Sequence, residues 1–194
     1  MSTKQKTLAF VGLGVMGYPM AGHLAKAGYK VKVFNRTASV AQKWIDELGP
    51  SSDCSMHESP ELAAREADVV LMCVGNDDDV RSVVYGDTGV LGGMKGGSVL
   101  VDHTTASQQL ALELAGQCVA KDIGFLDAPV SGGQAGAESG ALTIMVGGSQ
   151  RDYQKISPIL NAYAKKTELM GEVGCGQLTK MVNQICIAGI LEGL

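Results

Sequence analysis

Three stretches of the chain carry residue types at spacings that chemistry can use. The first is Gly12-Leu13-Gly14-Val15-Met16-Gly17, whose glycines follow G-x-G-x-x-G. The first glycine allows a tight turn out of a strand, the second lets a pyrophosphate approach bare backbone, and the third lets a following helix pack closely on the sheet. That helix start would offer free N–H groups and partial positive charge to phosphates. Taken alone, the pattern also fits a mere tight turn in a chain with 26 glycines. The second stretch is Ser131-Gly132-Gly133. It can present a hydroxyl and several backbone N–H groups to a carboxylate, or it is a plain turn. The third is Lys180, with Asn183 and Gln184 at i+3 and i+4 on one helix face. A lysine there either snorkels to solvent, or is partly desolvated and acts as general acid and base on a carbonyl or hydroxyl.

The elements between these stretches alternate. Residues 7–11 read as a buried strand, 16–27 as a helix stopped by Gly28, 29–34 as a second strand, and 38–48 as a helix ending at Gly49-Pro50. A short strand is expected at 51–54 and a helix from Ser59-Pro60, with a cap residue followed by proline at the first helical position. Strands follow at 68–74 and 98–101, the first almost wholly apolar as in a strand buried on both faces. Helices are expected at 77–85, 107–120 and 151–163. Strands are expected at 125–126, 142–146 and 167–170, with a Gly-rich loop between the first two of these. Strand–helix alternation with apolar strands predicts an α/β fold: a doubly wound, mostly parallel sheet covered on both faces. The opening glycines then fall after the first strand and before the first helix, where a dinucleotide fold needs them.

In such a sheet ligands bind at the carboxyl ends of the strands. The second strand ends in Asn35-Arg36-Thr37, with no carboxylate to hold a ribose 2′-hydroxyl. Arg36 can pair with a 2′-phosphate, and Asn35 and Thr37 can hydrogen-bond to it, so the sequence favours NADP over NAD. By itself Arg36 is equally an exposed loop arginine. Other polar strand ends are Val74-Gly75-Asn76, Asp102-His103-Thr104-Thr105 and the segment 127–133. His103 could serve as a base, although a lone histidine beside a turn is more often structural. Asp77-Asp78-Asp79 reads as a solvated helix start favoured by the dipole rather than as a metal site, and no metal is expected.

The chain has 194 residues, enough for one domain and part of a second. A net charge of −4 argues against nucleic acid as a partner. Five dispersed cysteines without a C-x-x-C read as reduced thiols in a cytoplasmic protein; Cys175, in a Gly-rich stretch, reads as accessible but not as a catalytic thiol. No apolar run approaches the ~18 residues of a membrane span, and residues 1–6 lack the apolar core of a signal peptide. Residues 177–194 have helical spacing and become apolar nearly all round at Ile185, Ile187, Ile190 and Leu191. A helix of that kind is buried against something, so a partner subunit or a further domain is expected.

Residues 12–28, GLGVMGYPMAGHLAKAG, closely resemble the cofactor signature of the β-hydroxyacid dehydrogenase family, which is related to 6-phosphogluconate dehydrogenase. DAPVSGG at 127–133 resembles that family's substrate loop, and GCGQLTKMVNQ at 174–184 its catalytic-lysine motif. The resemblance covers essentially the whole chain. It implies a Rossmann-type domain over residues 1–164, then at 165–194 a last strand and the start of a helix leading to an all-helical domain. It implies that Gly12, Leu13, Gly14, Val15 and Met16 hold the pyrophosphate, and that Asn35, Arg36 and Thr37 hold the 2′-phosphate of NADP. Val74, Gly75, Asn76 and Thr105 would line the ribose and nicotinamide side. Ser131, Gly132 and Gly133 would bind the carboxylate of a small substrate. Lys180 would be the proton donor and acceptor, with Asn183 or Gln184 orienting the substrate. The implied reaction is hydride transfer between the nicotinamide and a small β-hydroxyacid or semialdehyde, in a homo-oligomer when full length. Family members continue into the helical domain, so the chain reads as a fragment, or as a natural short form. The rival reading is a dinucleotide-binding module without catalysis, which the retained lysine motif disfavours.

Overall fold

The computed structural model describes residues 6–48 and 53–193. The readings of residues 1–5 and of Gly49-Pro50 as a helix stop lie outside them. So does the first half of the strand expected at 51–54; among the described residues that strand is β3, Cys54–Met56.

Among the described residues nine strands form one sheet in the order β3, β2 (Lys30–Phe34), β1 (Thr7–Val11), β4 (Val69–Met72), β5 (Val99–Asp102), β6 (Gly124–Asp127), β8 (Leu142–Gly148), β7 (Val130–Ser131). The ninth, β9 (Ala164–Gly171), pairs with β8. Every pairing from β3 to β6 is parallel. The sheet reverses only at β8, which runs antiparallel to β6 and β7 and parallel to β9. This is the expected Rossmann-type, mostly parallel sheet, with β1 and β4 adjacent at its switch point.

Burial on both faces explains the apolar strands: every residue of β4 and β5 is buried. Leu8 and Phe10 of β1 point to one side, with Met20 and Leu24 of α1 (Gly17–Lys26), Trp44 of α2 (Ala38–Leu48) and Ile156 of α8 (Gln150–Leu160). Ala9 and Val11 point to the other, with Ala63 of α3 (Pro60–Ala64), Val80 of α4 (Asp77–Val84) and Leu110 of α6 (Gln108–Val119). Trp44 is fully buried, and its indole N–H donates to the Tyr18 carbonyl at 3.1 Å, so the largest side chain of the core leaves no unpaired donor. Truncating it to alanine would cost about 3–5 kcal/mol.

Three departures from expectation have physical reasons. The Gly-rich loop after β6 is instead β7 and a short helix, α7 (Gly133–Glu138). The alanines of GQAGAE support a turn of helix despite its glycines, and β8 supplies the ladder that β7 completes. A further short helix, α5 (Val90–Gly93), forms where Gly93 packs so closely on the Glu61 carbonyl that a Cβ would lie 2.1 Å from it. Finally, β9 is longer than the expected 167–170, because β8 offers a partner along its length.

The last helix, α9, spans Cys175–Gly193. Gly176, Gln177 and Lys180 in its first turns are buried, whereas Leu178, Met181, Val182, Ile185 and Ile190 are exposed.

Candidate active site

A groove of about 340 Å³ opens at the carboxyl ends of β1, β2 and β4. The three motif glycines around it do different jobs. Gly12 has φ +93°, and a Cβ there would lie 2.3 Å from the Cys73 carbonyl oxygen, so this glycine lets the chain turn against β4. A Cβ on Gly17 would lie 1.9 Å from the Gly12 carbonyl oxygen and 2.9 Å from the Phe10 ring, so α1 can start only on bare backbone. A Cβ on Gly14 would meet nothing within 4 Å, and Gly14 lines the groove. Its face is therefore open to the groove.

Val15, Met16, Arg36, Thr37, Val74 and Gly75 also line the groove. Asn35 lines it with its amide already engaged. Its Oδ1 accepts from the Leu13 amide at 2.9 Å, and its Nδ2 donates to the Thr37 carbonyl at 3.0 Å. Asn35 therefore fixes the Gly loop against the end of β2. Leu13, Asn76 and Thr105 are not among the lining residues. Leu13 is buried and contributes the backbone N–H that Asn35 holds. Asn76 caps α4, its Oδ1 accepting from the amides of Asp78 and Asp79 at 3.0 Å each. Thr105 is exposed in the loop after β5.

That loop is joined to α9 by Gln177. The Gln177 Oε1 accepts from the Ala106 amide at 3.0 Å, and its Nε2 donates to the Thr104 carbonyl at 2.7 Å, bracketing Thr105. The start of α9 is anchored by Asp127, whose buried carboxylate accepts from the amides of Gly174 at 2.7 Å and Gln177 at 2.9 Å. Two otherwise orphaned helix N–H donors are thereby satisfied. A Cβ on Gly176 would lie 2.7 Å from the Asp127 carbonyl oxygen, and Gly174 has φ +90° with Gln108 against it, so the glycines on the two sides of Cys175 have separate reasons.

One turn beyond Gln177, Lys180 is 8% exposed, and burial lowers the pKa of its amine below the ordinary lysine value. Among the described residues no carboxylate forms an ion pair with it. Asn183 stands at i+3 with a buried Nδ2 that has no hydrogen-bond partner. Gln184 is exposed. Ser131 lies in β7 opposite Thr143, and Gly132 (φ +131°) and Gly133 (φ +60°) turn the chain into α7 with both residues exposed.

The remaining titratable groups at the strand ends differ in their surroundings. His103 is buried; its Nδ1 donates to the Ala128 carbonyl at 2.7 Å and its Nε2 accepts from the Tyr163 hydroxyl at 2.8 Å. Burial pushes its pKa down to about 4, so the ring is neutral and has no free nitrogen to act as a base. Asp102, buried beside it, is pushed up to about 7 by desolvation, and burial pushes the Cys73 thiol up to about 12. The acidic run divides three ways. Asp77 holds the amide and hydroxyl of Ser107, Asp78 faces solvent, and Asp79 lines the groove with Ser82 and Val83. The groove-facing role of α4 was missed, although Asp79, Ser82 and Val83 share one face at i, i+3 and i+4. The anchoring roles of Asp127 and Gln177 were missed too; closely spaced Gly174 and Gly176 were their one local sign.

Residues 7–173 match the NAD-binding domain of 6-phosphogluconate dehydrogenase. The chain is 54% identical over 96% of its length to an uncharacterized oxidoreductase of Shewanella frigidimarina, covering 63% of that protein. It is 43% identical to a probable 3-hydroxyisobutyrate dehydrogenase-like protein of Arabidopsis thaliana, again over 96% of its length, covering 56% of that protein. Among solved structures, a 3-hydroxyisobutyrate dehydrogenase of Mycobacterium tuberculosis with L-serine superposes with a TM-score of 0.86 at 32% identity, over 95% of this chain and 60% of that one. The chain thus spans about three-fifths of the length of such relatives.

Proposed function

The chain belongs to the NAD-binding domain family of 6-phosphogluconate dehydrogenase, and from that premise we propose that it is the cofactor-binding and proton-transferring part of an NADP-preferring oxidoreductase. Its substrate is a small β-hydroxyacid or the corresponding semialdehyde. One observation carries the reading: Lys180, a largely buried residue with no ion-pair partner among the described residues, stands one turn before Asn183, whose buried Nδ2 has no hydrogen-bond partner. The Asn183 donor is unfavourable in a purely structural role, since burying an unpaired donor costs about 1–3 kcal/mol. Both are useful where a substrate oxygen arrives.

The groove fits a dinucleotide. The open face of Gly14 would take the pyrophosphate, Arg36 and Thr37 the 2′-phosphate, and Val74 and Gly75 the ribose side. When bound, NADPH supplies the hydride for reduction and NADP⁺ accepts it in oxidation. Lys180 works at the oxygen. In reduction its ammonium gives a proton to the carbonyl oxygen as that atom gains negative charge, leaving a hydroxyl and a neutral amine. In oxidation the neutral amine takes the hydroxyl proton back. Desolvation helps by bringing the amine's pKa down toward the working pH, where both forms are available. A cationic group held in place where charge develops also stabilises the transition state. Asn183 donates its free N–H to the substrate, and its burial favours it over exposed Gln184 for that role. Ser131, Gly132 and Gly133 take the carboxylate. The free state of all five cysteines fits a reducing compartment such as the cytoplasm. The exposed apolar face of α9 fits burial in a homo-oligomer. The test is a panel of semialdehydes and β-hydroxyacids assayed with NADPH or NADP⁺. Turnover of at least one member, abolished by Lys180→Ala with NADPH binding intact, is expected; turnover unaffected by that substitution refutes the role.

A further inference from the structure

We propose that Asp79 tempers the groove's preference for a 2′-phosphorylated dinucleotide by competing with that phosphate for Arg36. The proposal rests on the reading of the groove as an NADP site. Its starting observation is an ion pair between two groove-lining residues, Arg36 Nη1 and Asp79 Oδ1, at 3.2 Å and 43 residues apart in sequence. Arg36, after β2, is 86% exposed, and Asp79, in the first turn of α4, is 31% exposed. The carboxylate is held over the groove by the backbone beneath it. Gly75 has no Cβ, and one placed there would lie 2.3 Å from Asp79 Oδ2. The Asp79 amide is fixed in turn by the Asn76 cap.

Among the described residues lining the groove, Arg36 is the one cation and Asp79 the one anion. Its neighbours in the run do not share this position. Asp77 is taken by Ser107, and Asp78 is 97% exposed and 3.6 Å from Arg81. Asp79 and Arg36 thus neutralise each other at the point where a dinucleotide carries either a 2′-hydroxyl or a 2′-phosphate. A phosphate brings a charge of about −1.5 to −2. It must draw Arg36 from its partner and then remain near an uncompensated carboxylate. A hydroxyl can leave the pair intact. Asp79 therefore weakens binding of the phosphorylated form selectively, and β2, which ends without a carboxylate, is not the sole source of discrimination.

The experiment is calorimetric titration of the chain and its Asp79→Asn, Arg36→Ala and double variants with adenosine 2′,5′-bisphosphate and with adenosine 5′-monophosphate. Melting curves confirm that each variant folds. Asp79→Asn should tighten the bisphosphate by up to about fivefold, the upper range of an exposed ion pair, and leave the monophosphate unchanged. In the Arg36→Ala background the gain should shrink, because no arginine remains to be released. A bisphosphate-to-monophosphate ratio unchanged by Asp79→Asn, in a protein where Arg36→Ala lowers that ratio, overturns the competition alone. Equal weakening of both nucleotides by Asp79→Asn also overturns it, by placing Asp79 on the shared adenosine. A ratio that Arg36→Ala leaves unchanged overturns the NADP reading, and the competition with it.

Discussion

Two glycines of one motif should respond in opposite ways to the same methyl group. In Gly12→Ala the new Cβ would sit 2.3 Å from the Cys73 carbonyl oxygen and 3.0 Å from Val74 Cγ1, on a residue whose φ is +93°. The backbone conformation costs about 1–2 kcal/mol for an L-residue, and the overlap of β1 with β4 adds about 1–3 kcal/mol. A total of roughly 2–5 kcal/mol lowers Tm by about 5–20 °C for a domain of this size. In Gly14→Ala the Cβ meets no protein atom within 4 Å and the φ is ordinary. Stability should be unchanged, or raised by about 0.4–1 kcal/mol through lost freedom of the unfolded chain. The methyl group occupies the phosphate cradle instead. Losing one charge-assisted backbone hydrogen bond, about 1.5–3 kcal/mol, weakens dinucleotide binding roughly 10- to 100-fold. The assay pairs thermal melts with NADPH titration followed by nicotinamide fluorescence. A Gly14→Ala protein with wild-type affinity, or a Gly12→Ala protein with wild-type Tm, would refute the division of labour.

Asp102 and His103 should oppose each other in the pH dependence of stability. Asp102 is at about 7 when folded against 3.8 ordinarily, so the unfolded chain loses that proton first and stability falls as pH rises from about 4 to about 7. His103 is at about 4 against 6.5, so the unfolded chain gains that proton first and stability falls as pH drops from about 6.5 to about 4. Each effect reaches up to roughly 4 kcal/mol. In urea melts Asp102→Asn should remove the loss on the neutral side, and pH profiles parallel to wild type would contradict this. Gln177→Leu keeps the bulk but breaks both bonds to the loop after β5; it should cut kcat more than tenfold with NADPH affinity within about threefold, and an unchanged kcat would show that the link does not position Lys180. Lys180→Arg keeps the charge but not an accessible neutral form, so it should fail to restore oxidation; wild-type oxidation by this variant would remove Lys180 as the base.

How much was legible in the sequence depended on the range of the interaction. The parallel sheet was readable because residues 69–72 and 99–102 are apolar throughout, as burial on two faces requires. The jobs of Gly12 and Gly17 were readable because a turn after a strand is local. The neutral, structural state of His103 was readable only as the commoner alternative; its partners, Ala128 and Tyr163, are 25 and 60 residues away. The links that organise the site, Asp127 to Gly174, Gln177 to Thr104 and Arg36 to Asp79, join residues 43 to 73 apart and leave no periodic trace. The helix α7 was hidden by its own composition, since glycine signals a loop until neighbouring strands fix both ends. In α9 the apolar pattern was plain, but which side chains stay exposed depends on what packs there, and pattern alone does not say.

The proposed function requires the groove to hold a 2′-phosphorylated dinucleotide through Arg36. The most direct measurement is a parallel titration of the chain and of Arg36→Ala with NADPH and NADH. Saturable binding is expected, with NADPH tighter than NADH in the parent chain and an Arg36→Ala loss of about tenfold or more for NADPH that spares NADH. Equal losses for the two cofactors, tighter binding of NADH by the parent chain, or no binding of either, would contradict it.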